Sequence, residues 1–150
     1  MISVTVDIKG PTAMINTLTK NLSQPGFRTW ITTKVTPYVR EQAEETFDGE
    51  GGRVGGWEPL KESTWERKSS ARMLVETGAL KKEVTSVKEN FPGNFTAEWG
   101  GDSKVYKAHQ TGFRHNRSGK KVPARKMLAW TNQDADFIRN TLEYHIMQNV

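Results

Sequence analysis

Residues 27–47 read FRTWITTKVTPYVREQAEETF, and this stretch decides the fold. Phe27, Trp30, Ile31, Val35, Tyr38, Val39, Ala43 and Phe47 recur on one helical stripe, so the spacing predicts the central core helix. Pro37 stands in its middle, where a proline removes a backbone hydrogen bond at a cost of about 3 kcal/mol or more. A kink, or two helices meeting near Thr36, is the expectation.

Upstream, Ile2, Val4, Val6 and Ile8 alternate with polar residues in the period of a half-buried strand, which Gly10-Pro11 stops. Met14, Ile15, Leu18 and Leu22 predict a short amphipathic helix over 11–22, ended by Pro25-Gly26. Downstream, five glycines in residues 48–56 predict an irregular, mobile loop. Ser63 and Glu66 match a capping box, which predicts a helix through about Arg72. Thr77-Gly78-Ala79-Leu80 is a turn into another short helix or directly into sheet. Glu83–Glu89 and Phe95–Gly100 read as a hairpin, and Lys104–Thr111 as a short helix closed at Gly112. Lys126–Trp130 reads as a further strand, and Thr131 with Asp134 caps a last helix whose stripe is Phe137, Ile138, Leu142 and Ile146. The fold class is therefore α+β. A small antiparallel sheet packs on a long Pro-kinked helix and a C-terminal helix, with long loops, in one domain over residues 1–150.

The chain has 150 residues, no cysteine and 35% hydrophobic residues, low against the about 45–50% (counted with Gly) of ordinary domains. A disulfide scaffold, a thiolate zinc site and a cysteine nucleophile are excluded. No apolar run approaches the about 20 residues of a membrane span, and the N-terminus lacks a signal-peptide pattern, so a soluble cytoplasmic product without membrane contact is expected. The net charge of +5 is uneven. Residues 101–130 hold eight basic residues and one acid, a local +7, which leaves −2 for the remainder. Such a segment suggests contact with a polyanion or with acidic neighbours.

Several groups of residues carry candidate chemistry. The loop bearing Arg114, Arg117, Lys120 and Lys121 could face DNA, and its other reading is a solvated basic loop. Phe113 alone flanks it, so the interleaved aromatics of single-strand binders are missing. If all four charges met phosphates, the salt slope would be about −3.6, roughly a hundredfold loss of affinity between about 50 and 200 mM. One copy would bind poorly; a ring of copies would not. Trp57 and Trp65 flank the glycine loop and read either as anchors of a subunit interface or as tryptophans folded back on their own core. His109, His115 and Asn116, with Asp102 upstream, are the residue types of a metal-dependent nuclease. Their spacing supplies neither a helical histidine pair nor a second carboxylate, so no catalytic residue, metal site or cofactor is assigned. The glycine loop lacks the Gly-Lys-Ser/Thr ending of a phosphate-binding loop.

The order of five stretches is more specific than any one of them. Phe47…Gly55-Gly56-Trp57-Glu58-Pro59-Leu60, Thr64 with Lys68, Leu74…Thr77-Gly78-Ala79-Leu80, Tyr106-Lys107-Ala108-His109-Gln110-Thr111-Gly112 and Val122-Pro123-Ala124-Arg125-Lys126-Met127-Leu128 follow one another. Together they resemble the phage virion morphogenesis family, the tail-completion proteins of tailed phages such as Mu and P2. The resemblance spans about residues 40–148. It implies a late structural protein without a catalytic motif, similar to α+β neck and tail-terminator subunits that work as rings, often hexamers. Its implied place is the virion neck or tail end, after assembly in the host cytoplasm. Its implied partners are further copies of itself, head–tail connector or adaptor proteins, and tail-terminator or tail-tube proteins.

The physical reading adds genomic double-stranded DNA in the lumen, and Arg125 as a bridge to an acidic group of a neighbouring element or subunit. Gly78 and Gly112 are expected to adopt backbone conformations closed to other residues. The competing readings are a small basic DNA-binding protein and a nuclease using His109 and His115.

Overall fold

Ser23 starts the long helical run, its hydroxyl accepting from the Gly26 N–H at 3.3 Å, with Pro25 in the first turn where a missing donor costs nothing. In the computed structural model, which describes residues 1–5, 23–67, 72–75 and 78–148, Pro25-Gly26 thus opens the core helix. The expected helix at 11–22 and the strand positions Val6 and Ile8 lie outside the described residues. The run comprises α1 (Gln24–Trp30), a π-helical stretch (Ile31–Val35) and α2 (Thr36–Asp48). Its last two segments meet at Thr36, where the sequence placed a junction, with helical backbone continuing across it. The Thr36 N–H donates five residues back to the Ile31 carbonyl, which widens the turn ahead of Pro37. A proline ring clashes with the carbonyl four residues before it, and the widened turn lets helical backbone continue through the proline.

The remaining elements are β1 (Ile2–Thr5), α3 (Glu62–Trp65), α4 (Ala79–Thr85), β2 (Asn90–Gly93), β3 (Thr96–Trp99), α5 (Lys104–Thr111), β4 (Phe113–Arg114), β5 (Lys121–Val122) and α6 (Asn132–Met147). The structure is α+β, with a three-stranded antiparallel sheet ordered β1-β3-β2. Residues 83–85, expected in a strand, belong to α4, and the hairpin begins at Asn90. Pro92 explains why β2 is an edge strand with a register shift between Asn90 and Gly93: it has no N–H to give to a ladder. The capping box at Ser63 does not form. Helix α3 starts two residues earlier, after Lys61, with no side-chain cap.

Contacts divide the chain into two compact units. The first comprises Met1–Tyr38, Lys88–Trp99 and Trp130–Val150. Its sheet registers Ile2 on Trp99 and Val4 on Ala97, and these four side chains are buried with Phe27, Trp30, Ile31 and Val35. Among the described residues, Thr36 and Asp134 are polar side chains buried in it, and both are engaged. Thr36 donates its hydroxyl to Glu89 Oε2 at 2.8 Å and accepts the Trp99 indole N–H at 3.0 Å. Asp134 accepts the Tyr38 hydroxyl at 2.6 Å and the Thr131 N–H at 2.6 Å, completing the capping box expected at the start of α6. The Phe137 ring stacks on Tyr38 at 3.7 Å, and His145 stacks on Trp30.

The second unit comprises Val39–Val87 and Gly100–Ala129. Its core is Val39, Ala43, Phe47, Trp57, Met73, Val84, Val87, Tyr106, Met127 and Leu128.

Replacing Asp134 tests the buried network. Asp134→Ala removes the cap and the bond to the Tyr38 hydroxyl, and should cost about 2–4 kcal/mol in urea unfolding. Asp136→Ala, which breaks only the exposed pair with Arg139, should stay within about 0.5 kcal/mol.

Candidate functional site

The glycine segment 48–56 is a hydrogen-bonded turn, not the irregular loop its composition suggested. Gly51 N–H donates to the Thr46 carbonyl, Gly56 N–H to the Gly51 carbonyl and Trp57 N–H to the Glu50 carbonyl, around a 3₁₀ turn at Gly52–Val54. Gly51 has φ 81° and lies under the indole of Trp57, where a β-carbon would stand 2.3 Å from the ring. The glycines therefore serve to seat Trp57. That residue is 6% exposed, meets Phe47 edge-on at 5.4 Å and donates its indole N–H to the Lys126 carbonyl at 2.9 Å. Trp65, on α3, is half-buried.

Arg125 is 4% exposed, and its Nε and Nη2 both donate to the backbone carbonyl of Glu58, at 3.1 and 2.9 Å. Its own N–H donates to the His109 carbonyl at 2.7 Å. Arg125 thus ties the Trp57–Leu60 stretch to the end of α5 through a carbonyl, and not through the acidic group expected for it. Gln110 does the same for the next residues. Its side-chain amide accepts from Met127 N–H at 2.8 Å and donates to the Leu128 carbonyl at 2.5 Å, pairing backbone that a neighbouring strand would otherwise pair. No strand forms at 126–130 for this reason. Nothing in the spacing of Gln110 marks it as a backbone clamp.

The basic loop is a hairpin. Strands β4 and β5 pair Phe113 with Val122 and Arg114 with Lys121, and the turn is held by His115 N–H to the Lys120 carbonyl at 2.9 Å and Gly119 N–H to the His115 carbonyl at 2.8 Å. Arg114, Arg117, Lys120 and Lys121 are all exposed. Arg114 and Lys121 stand directly opposite one another, an arrangement of like charges that destabilises a ladder. Gly112 sets the base of the hairpin, with φ 79°, where a β-carbon would lie 2.9 Å from the Val122 carbonyl oxygen. Gly78 likewise begins α4 at φ 78°.

His109 is half-buried and meets Phe113 edge-on, whereas His115 is exposed on the hairpin. The two line separate cavities, and among the described residues no three His, Asp or Glu side chains are grouped as a metal ion would require. Burial, and then the nearby Arg125 charge, hold the His109 imidazole below its ordinary value. Glu83 accepts from Ser103 N–H at 2.9 Å and Ser103 Oγ at 2.6 Å. Burial alone would raise its carboxyl, and the Ser103 bonds overcome this and hold it below the ordinary 4.5.

With this geometry in view, comparison with known proteins is decisive on one point. The pattern of the phage virion morphogenesis family matches residues 9–147. The chain belongs to this family. No curated protein and no solved structure matches it. Membership makes it a bacteriophage morphogenesis protein associated with the virion. No helix among the described residues is long and apolar enough to cross a membrane. The stretches that resemble the family lie in the second unit, apart from residues outside the described set.

Two predictions follow from the local chemistry. Gly112→Ala forces a β-carbon against backbone at a positive φ and should cost about 2 kcal/mol or more in chemical unfolding. Both His109 and Glu83 have folded values below their unfolded ones, so the unfolded chain takes up protons first and stability falls as pH falls. Melting temperatures should begin to drop below pH 6.5 through His109 and drop further below 4.5 through Glu83. His109→Gln should remove the upper limb of this profile and Glu83→Gln should flatten the lower one.

Proposed function

We propose that this chain is a tail-completion subunit that forms an oligomeric ring at the neck or tail end of the particle, joins head to tail, and turns its basic hairpin toward the genome. The observation that carries the reading, beyond family membership, is the hairpin itself: four exposed cations, two of them directly opposed on one ladder. Opposed like charges weaken a hairpin in isolation and gain from an adjacent polyanion. The polymer chemistry fits double-stranded DNA, since phosphate contact needs charge and reach, and the hairpin offers no aromatic platform for unstacked bases beyond Phe113. One subunit supplies few phosphate contacts, and a ring multiplies them around a single duplex. Connector or adaptor proteins on one side and tail-terminator or tail-tube proteins on the other are the partners of such a ring.

The buried positions of Trp57 and Arg125 give them a supporting part in this reading. They hold the Trp57–Leu60 stretch in place, so the surface offered to a neighbour depends on them even where their own atoms are covered. Arg125→Ala is expected to lower ring formation and infectivity together.

Two measurements test the proposal. Labelled subunits should be found in mature particles at the head–tail junction; their absence from mature virions would refute it. Replacing Arg114, Arg117, Lys120 and Lys121 by alanine should lower the slope of log affinity for duplex DNA against log salt by about 3.6 for each bound subunit. An unchanged slope would remove DNA from the proposal and leave the ring.

A further inference from the structure

A cavity of ≈ 550 Å³ opens at the base of the basic hairpin, and one of its walls carries the opposite charge. Arg114 and Lys121 line it from the paired strands, and Glu58 lines it from a stretch far away in the chain. The other lining residues are uncharged. The two cations that oppose one another on the ladder thus share their cavity with a single carboxylate. A cavity of this volume is about 10 Å across, the Debye length at about 0.1 M salt, so the three charges act on one another without full screening.

The position of Glu58 is fixed by its neighbours. Trp57, the residue before it, is seated over Gly51 and bonded to the Lys126 carbonyl. Arg125 holds the Glu58 carbonyl with two N–H groups, and Pro59 restricts the Glu58 backbone to extended conformations. The backbone is pinned while the side chain stays exposed. No ion pair among the described residues engages the Glu58 carboxylate. Its charge is felt nonetheless: burial pushes the Arg125 guanidinium below its ordinary value, and the Glu58 carboxylate pushes it back up. The scaffold therefore holds an unpaired carboxylate beside a surface whose proposed ligand is a polyanion.

We propose that Glu58 is the built-in counter-charge of the hairpin: its carboxylate competes with phosphate for Arg114 and Lys121, and so limits how tightly each subunit holds duplex DNA. This rests on the reading of the hairpin as a DNA contact and adds the residue that tunes it. Without DNA, the carboxylate offsets the repulsion between the two opposed cations, which a ladder of two residue pairs has little else to balance. With DNA, a phosphate becomes the counter-charge and Glu58 faces a like charge. Each contact is weakened, not abolished. A ring multiplies the hairpins, so a small reduction in each becomes a large one for the assembly, and a duplex inside it can slide.

Affinity of the full chain for a short duplex, measured against salt, tests the proposal. Glu58→Gln keeps the shape of the side chain and the carbonyl that Arg125 holds. It should tighten binding about threefold at about 50 mM salt, and the gain should fade toward about 200 mM. Glu44→Gln, which removes an exposed carboxylate of α2 outside the cavity, controls for net charge and should tighten binding less. In a chain carrying Arg114→Ala and Lys121→Ala, the gain from Glu58→Gln should vanish. That non-additivity is the deciding readout, because a general charge effect or a loosened fold would persist there. A gain no larger than that of Glu44→Gln, or one that survives the loss of Arg114 and Lys121, overturns the inference and leaves the hairpin as the DNA contact. If the chain lacking all four hairpin cations binds duplex as the wild type does, the DNA reading itself falls, and the role of Glu58 with it.

Discussion

A proline inside a helix takes away one backbone donor and pushes its ring at the preceding turn. The whole helical run from Gln24 to Asp48 depends on how that is absorbed around Pro37. The π-helical stretch Ile31–Val35 absorbs it by bonding five residues back. Trp30, Ile31 and Val35 are in the core of the first unit, and Val39, Ala43 and Phe47 in that of the second. Thr36, at the junction, is buried and takes both Glu89 and the Trp99 indole, so the site of the backbone adjustment is also tied to the sheet. Buried polar groups are costly unless paired, and here both partners lie on the hairpin side of the same unit.

The second unit uses a different device. Its strands are two residues long, and side chains tie the backbone elsewhere. The Gln110 amide pairs Met127 and Leu128, the Arg125 guanidinium holds Glu58, and the Trp57 indole holds Lys126. The glycines around 51 and 112 are demanded by close approach, one beneath an indole and one against backbone. This makes a scaffold whose surface features, the basic hairpin and the cavity at its base, are positioned by polar ties across short connections. Such a scaffold suits a family concerned with building a particle, in which recognition surfaces matter more than an enclosed catalytic cavity.

Much of this was legible because the signals were local. The stripe from Phe27 to Phe47, the capping pair Thr131 and Asp134, the stop at Gly112 and the alternation along Ala97 and Trp99 each depend on neighbours within one or two turns. The failures have an equally physical source. Ser63 and Glu66 have the spacing of a capping box, yet the helix begins two residues earlier, where no side chain caps it. Residues 83–85, expected in a strand, belong to the helix Ala79–Thr85, and Glu83 finds its partner in Ser103, 20 residues away. Composition likewise misled at 48–56, since a glycine-rich segment is irregular only if nothing packs on it, and Trp57 does.

By itself, the sequence determined the class of the fold, the family, the excess of positive charge in residues 101–130 and the absence of cysteine, because these follow from residue identity and short-range spacing. Tertiary structure alone decided that Arg114 and Lys121 oppose one another, that Trp57 and Arg125 turn inward, and that Glu58 meets the hairpin in one cavity. Those outcomes depend on contacts between residues far apart in the chain, whose free energy is realised only when the backbone between them has been ordered.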